Sequence, residues 1–241
     1  MRADRIIAHR GCSLLRPENT RSAFIHTQEL GIRWVETDVN RLGDGTLVVF
    51  HDDHLGRLTP ADGRLAEVNW STAKDLDVGS HFGAEFSDER MMTLRDTLAL
   101  LHELNLGLNL EVKVYAHYRA EDVVPDIIAA LEDEWHDWER LIISSFNPQV
   151  LRLLHQARPT WSLGLLFEKI PDDWQSLAAE VQPVSVHCHY AWLRQPQVDA
   201  IKAQGLEIYC YTVNDRKAGI MLWDMGVDGV ITDNPNLFAG L

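Results

Sequence analysis

The chain has 241 residues, of which 46% are hydrophobic, and a formal net charge of −14. That length and apolar content suit a single large domain with a sizeable core, with one catalytic domain expected over 1–241. The acidic balance argues against nucleic acid or an anionic membrane as partner, since both require a basic footprint. Three scattered cysteines, Cys12, Cys188 and Cys210, are too few for a disulfide framework and suggest a reducing compartment. With no long apolar run for a leader or a membrane span, a soluble, cytoplasmic protein without stable membrane association is expected.

In chain order, short β-branched runs alternate with amphipathic segments of helical period, the signature of βα units and a parallel sheet. Strands are expected at 5–9, 34–39, 108–114, 141–146, 162–167, 184–188, 207–213 and 228–232. The stretch 122–132 reads as a helix whose apolar face is Val123, Val124, Ile127, Ile128 and Leu131. Asn147-Pro148 reads as an N-cap with proline in the first turn, and Thr93-x-x-Asp96 as a capping box. The run 47–50 follows 34–39 too closely for a parallel crossover, so it should fold back as an extra hairpin strand. The pattern breaks over 53–92, longer than ordinary loops, which suggests a small inserted cap. Its His54, Trp70 and His81 are expected in packing or surface roles. The α/β fold expected is therefore a (β/α)8 TIM barrel with an extra β-hairpin strand and a small inserted cap; the Gly-rich turn of a doubly wound sheet is missing.

Barrel active sites lie at the C-terminal ends of the strands, and chemistry-bearing residues collect there. Glu36 and Asp38 are two apart on one strand, so their carboxylates should stand side by side. They either share a cation or lie solvated on an exposed face. Oxygen ligands suit hard divalent ions. Glu111, two residues before Lys113, offers a third carboxylate, or alternatively an intra-strand ion pair. His9 and Arg10 sit where an apolar run gives way to a loop, and Arg10 suits a phosphate or carboxylate. Gly11 would let backbone approach a ligand closely. In Pro17-Glu18-Asn19-Thr20, Asn19 and Thr20 read as helix caps. Three carboxylates, a divalent ion, Arg10, Lys113 and a phosphodiester would balance in charge, so an acidic chain could still hold a phosphate.

These residues carry a resemblance. His9-Arg10-Gly11, Pro17-Glu18-Asn19-Thr20, Glu36-x-Asp38, Asp44-Gly45, His51-Asp52, Thr93-Leu94, Glu111-x-Lys113, Ser145-Phe146, Tyr211-Thr212-Val213-Asn214 and Gly229-Val230-Ile231-Thr232-Asp233 together resemble the ordered motifs of the glycerophosphodiester phosphodiesterase family. The likeness spans nearly the whole chain and is closest to the short, cytoplasmic bacterial type. It implies a TIM-barrel enzyme that uses Mg²⁺ or Ca²⁺, or a similar ion such as Mn²⁺ or Co²⁺. Such an enzyme hydrolyses glycerophosphodiesters, for example glycerophosphocholine or glycerophosphoethanolamine, to sn-glycerol 3-phosphate and an alcohol.

The same resemblance implies Glu36, Asp38 and Glu111 as metal ligands and His9 and His51 as the acid–base pair. Arg10 and Lys113 would hold phosphate, and Phe146 and Tyr211 would face the glycerol. Tyr211 stands where many members have tryptophan, and Met92-Thr93-Leu94 replaces the more usual Pro-Thr-Leu. Two alternatives remain at this point: a phospholipase-like lyase that forms a cyclic phosphate from a lysolipid, and a non-catalytic barrel that binds a phosphorylated ligand.

Overall fold

A computed structural model describes residues 3–240 of the chain. Eight parallel strands form its centre: β1 (Ile6–His9), β2 (Trp34–Arg41), β4 (Gly107–Val112), β5 (Leu141–Ser145), β6 (Leu163–Phe167), β7 (Ser185–His189), β8 (Glu207–Tyr211) and β9 (Gly229–Thr232). β1 pairs in parallel with both β2 and β9, which closes the sheet into a barrel. The hairpin strand β3 (Leu47–Val49) pairs antiparallel with β2, Val39 lying opposite Val49. All eight expected strands are present, and the main difference lies at their C-terminal ends, where β4 and β8 stop two residues early. Lys113 thus lies just past β4, although its N–H still donates to the Val39 carbonyl.

The helices follow from sequence-local devices. α1 (Arg21–Glu29) is capped by Thr20, whose side chain accepts from the Ala23 N–H. α2 (Trp70–Ala73) belongs to the insertion. α3 (Leu94–Glu103) starts at Thr93, which accepts from the Asp96 N–H, as the capping-box spacing predicts. α4 (Ala120–Glu134) buries Val123, Val124, Ile127 and Leu131 and extends two residues beyond the expected range at each end. α5 (Pro148–Ala157) has Asn147 as its cap. α6 (Trp174–Val181), α7 (Gln195–Ala203) and α8 (Arg216–Asp224) complete the ring. After β9 the described residues form a 3₁₀ turn, Pro235–Phe238, in place of a final α-helix.

Every residue of β4 and β5 is buried, because helices cover the outer face while the barrel fills the inner one. The main apolar cluster lies between strands and helices and includes Val35, Val39, Leu98, Leu108, Leu131, Leu154 and Ile208. Inside the barrel, a separate layer of Ile7, Trp34, Ile142 and Tyr209 fills the end nearest the strand N-termini, and Ile231 packs on it while also reaching the cavity described below. Gly107 is needed there, since a Cβ on it would meet the Trp34 ring at 2.7 Å. The 53–92 stretch has a small core of its own. Leu55, Leu58, Leu65, Ala73, Val78 and Met91 pack with Leu42, Val48 and Phe50 around the hairpin. Within it, Trp70 packs on that core, while His54 and His81 are exposed.

Candidate active site

At the C-terminal ends of the strands a cavity of about 190 Å³ opens among residues of both halves of the chain. His9, Arg10, Glu36, His51, Glu111, Lys113, Phe146 and Tyr211 all line it, so eight of the nine expected site residues border one space. The ninth, Asp38, lies directly behind them. It is fully buried, and its carboxylate contacts Arg10 Nε at 3.3 Å and Lys113 Nζ at 3.0 Å.

The strand register brings the carboxylates together. Glu36 and Asp38 project from the same face of β2, and Asp38 stands in register with Glu111 on β4. One ligand oxygen from each of Glu36, Asp38 and Glu111 lies within 4.8 Å of the others. Lys113 Nζ bridges Asp38 and Glu111. Burial chiefly, and then the charges of Asp38 and Glu111, push the Glu36 carboxyl well above its usual range. Burial also raises Glu111, against the pull of Lys113. For Asp38 burial acts in the same sense, but Lys113 and then Arg10 outweigh it and hold the carboxyl far below the ordinary carboxylate range. Glu36 Oε1 is buried with no hydrogen-bond partner. A crowded carboxylate with a free buried oxygen is one that a further positive charge would stabilise, and the three oxygen donors fit a hard divalent ion.

Each histidine is oriented by a carboxylate. His9 Nδ1 donates to Asp233 Oδ1 at 2.5 Å, which leaves Nε2 toward the site, 3.7 Å from Glu36 Oε2. Asp233 also accepts from Ser13 Oγ and from Asn214 Nδ2, both at 2.6 Å. Burial alone would raise Asp233, but the bond to His9 leads the opposing effects and brings it to about 2. His51 Nδ1 donates to Asp52 Oδ1 at 2.6 Å. Asp52 in turn accepts from Arg57 of the insertion, which also grips Glu18 through both terminal nitrogens at 2.7 and 2.8 Å. Glu18 accepts from Arg10 Nη1 at 2.8 Å. A chain of alternating charges therefore ties the insertion to His51 on one side and Arg10 on the other.

One local expectation changes. Asn19 is not a helix cap. Held in the left-handed region at φ 56°, it donates to Asp38 Oδ2 at 2.9 Å and accepts from Thr37 Oγ1 at 2.7 Å, so it supports the acidic cluster. Gly11 is needed for packing, since a Cβ there would lie 2.6 Å from Ala23 Cβ on α1. The two aromatic residues stand together at the cavity. Phe146 meets Tyr211 edge-on with 6.1 Å between ring centres, and Tyr211 is anchored by its hydroxyl to the Phe167 carbonyl at 2.8 Å.

Sequence reading placed Asp52, Asn214 and Asp233 inside motifs but assigned them no role, and it passed over Ser13, Arg57, Asn109 and Ser144. Asn109 was accessible by alternation, because it precedes Glu111 by two on the same strand face. Ser13 and Arg57 had no such signal, since both act across long sequence separations.

Comparison with known proteins agrees with this geometry. The sequence pattern of the glycerophosphoryl diester phosphodiesterase family matches residues 9–237. A glycerophosphodiester phosphodiesterase from Caldanaerobacter subterraneus subsp. tengcongensis is 34% identical over 98% of this chain and 96% of its own length. A phosphodiesterase from Oleispira antarctica, solved in complex with the product sn-glycerol-3-phosphate, superposes with a TM-score of 0.93 at 33% identity, covering 97% of this chain and 94% of that one. A glycerophosphodiester phosphodiesterase from Agrobacterium tumefaciens gives a TM-score of 0.84 at 25% identity, over 99% of this chain and all of the other.

Proposed function

The chain belongs to the glycerophosphoryl diester phosphodiesterase family and is an enzyme, and from this we propose that it hydrolyses glycerophosphodiesters such as glycerophosphocholine to sn-glycerol 3-phosphate and an alcohol. The observation that carries the reading is the convergence of two imidazoles, two cations and two carboxylates on one cavity, with a third carboxylate, Asp38, directly behind them.

Glu36, Asp38 and Glu111 would hold one divalent cation, Mg²⁺ or Ca²⁺ or an ion of similar preference. When bound, that ion supplies Lewis-acid polarisation of the phosphoryl oxygen and lowers the pKa of a nearby hydroxyl. Arg10 and Lys113 bind the non-bridging phosphate oxygens and stabilise the charge that builds on them. Phe146 and Tyr211 present apolar ring surface to the glycerol carbons.

A glycerophosphodiester carries a hydroxyl beside its phosphate ester, so attack by that hydroxyl is intramolecular and gains from effective molarity. His51 takes the hydroxyl proton as the new P–O bond forms. His9 gives a proton to the departing alcohol as the old P–O bond breaks. Water then opens the cyclic phosphate with the two histidines in exchanged roles, giving the monoester. Asp52 and Asp233, by accepting from the Nδ1 atoms, keep each Nε2 available for this traffic.

No helix among the described residues is long and apolar enough to cross a membrane. A cytoplasmic setting belongs to the same proposal and is supported by three buried free thiols. The test is a coupled assay of glycerol 3-phosphate release from several glycerophosphodiesters with and without chelator. Release that is lost on chelation and restored by Mg²⁺ or Ca²⁺ is expected; undiminished release in excess chelator would make the carboxylate cluster structural.

A further inference from the structure

The insertion places one residue, Arg57, between two groups on opposite sides of the site. Residues 55–59 form a tight turn, in which the Leu58 and Thr59 N–H groups donate to the Leu55 carbonyl at 3.2 and 3.1 Å. Leu55 and Leu58 are buried in the insertion's own core, which fixes the turn and leaves the Arg57 side chain half-buried at its surface. Arg57 bonds Asp52 and Glu18, and none of these three residues lines the active cavity.

A guanidinium is a planar fork whose N–H donors point in fixed directions. Arg57 Nε donates to Asp52 Oδ2 at 2.5 Å, and Nη1 donates to Glu18 Oε2 at 2.7 Å. Nη2 donates twice, to Asp52 Oδ1 at 3.0 Å and to Glu18 Oε1 at 2.8 Å. Those two oxygens also hold the site groups: Asp52 Oδ1 accepts from His51 Nδ1, and Glu18 Oε1 accepts from Arg10 Nη1. One nitrogen thus joins the oxygen behind the imidazole to the oxygen behind the phosphate-binding guanidinium. We propose that Arg57 is a positioning residue that sets His51 and Arg10 relative to each other from outside the cavity, and so makes proton transfer and phosphate binding depend on the insertion. This rests on the phosphodiesterase reading and adds to it a residue that neither touches substrate nor moves a proton.

Like charges make the arrangement conditional on the arginine. Asp52 and Glu18 bond one nitrogen from two sides, so without that cation two anions face each other and turn apart toward water. Burial would raise both carboxyls, but the bonds from Arg57 to Glu18, and from His51 and then Arg57 to Asp52, hold both below the ordinary carboxylate range. If Asp52 turns away, His51 Nδ1 loses its acceptor and the imidazole is free to swing. If Glu18 turns away, Arg10 Nη1 loses its acceptor, and Arg10 Nε already has no hydrogen-bond partner. A lysine at position 57 would keep the charge without the fork, because its donors all radiate from one atom. Displacements of this kind are costly, since reacting groups must be held close to the geometry of attack.

The experiment measures kcat and KM for glycerophosphocholine with saturating Mg²⁺, together with the melting temperature, in the wild-type protein and in Arg57→Ala and Arg57→Lys. Arg57→Ala should lower kcat by about 10²-fold through His51 and raise KM by about tenfold through Arg10. Guanidinium ion at millimolar concentration, far below the molar range that unfolds proteins, should restore much of the lost activity to Arg57→Ala, while ammonium ion restores none. Arg57→Lys should lie between the alanine variant and wild type. Two further variants separate the arms: Asp52→Ala should mainly lower kcat, and Glu18→Ala should mainly raise KM. Unchanged kinetics in Arg57→Ala, wild-type kinetics in Arg57→Lys, or the same kcat and KM changes in Asp52→Ala and Glu18→Ala would overturn the positioning role alone. So would a loss that tracks a lower melting temperature and resists guanidinium. No turnover by the wild-type protein would overturn the phosphodiesterase reading and the role with it.

Discussion

The two ends of the barrel interior treat polar groups in opposite ways. Near the strand N-termini, Trp34, Ile7 and Ile142 fill the space, and most polar groups satisfy one another. Tyr209 donates to Glu207 Oε2 at 2.5 Å while accepting from the Ala3 N–H at 3.0 Å, and Ser185 pairs with His187 Nε2 at 2.8 Å. Near the strand C-termini, Glu36, Asn109 and Ser144 keep unpaired buried atoms, and three carboxylates crowd one another. One end is packed and mostly satisfied, and the other leaves buried polar atoms unpaired around the cavity. The contrast is the ordinary division of labour in this architecture, where the N-terminal face carries stability and the C-terminal face carries chemistry.

Substitutions can break that contrast, and the largest effect is expected at the packed end. Trp34→Ala should cost about 3–5 kcal/mol of stability through lost burial and the cavity left behind, read as a fall in the denaturant midpoint. If the midpoint holds, the packed layer is not what supports the barrel. At the other end, His9→Ala or His51→Ala should lower kcat at least ~10²-fold, the scale of general acid–base catalysis, with little change in thermal stability. An unaffected rate in either variant would remove that histidine from the mechanism.

The exception at the packed end sharpens the comparison. His187 is fully buried, its Nδ1 has no partner, and burial lowers its pKa from 6.5 to about 3. Because the unfolded chain binds this proton at a higher pH than the folded one, the linked stability is complete above about pH 6.5. It declines as pH falls toward 3, at about 1.4 kcal/mol per pH unit. Urea midpoints measured between pH 4 and 7 should show that slope in the wild-type protein and lose it in His187→Gln. An identical slope in both would place the titration elsewhere.

The smallest effect has the most telling sign. Glu36→Gln removes a carboxyl whose charged form is disfavoured by burial and by two neighbouring carboxylates. In metal-free buffer it should stabilise the fold by about 1 kcal/mol while activity in Mg²⁺ is lost, a trade between stability and function seen at many active sites. A lower melting temperature for this variant would mean that the cluster is held together by Glu36 rather than strained by it.

Much of this was legible beforehand, and particular residues show why. The strand count, the hairpin of β3 and the caps at Thr93 and Asn147 depend on neighbours within a few positions. Glu36-x-Asp38 and Glu111-x-Lys113 were readable as same-face pairs for the same reason. Asn19 was misread as a cap because its actual partners, Thr37 and Asp38, lie on β2, beyond α1 in the chain. The bond from His9 to Asp233 joins residues 224 positions apart, and the grip of Arg57 on Glu18 joins residues 39 apart.

What the chain's order of residues determined by itself was therefore everything set by backbone periodicity: which side chains share a face, where helices begin, and that carboxylates and imidazoles sit at strand ends. What only the folded barrel decided was which of those faces meet. Closure of β1 onto both β2 and β9, and the register that sets Asp38 beside Glu111, turn separate motifs into one charged cavity. Electrostatic pairing and desolvation depend on distance through space, and that distance exists only once the strands have closed.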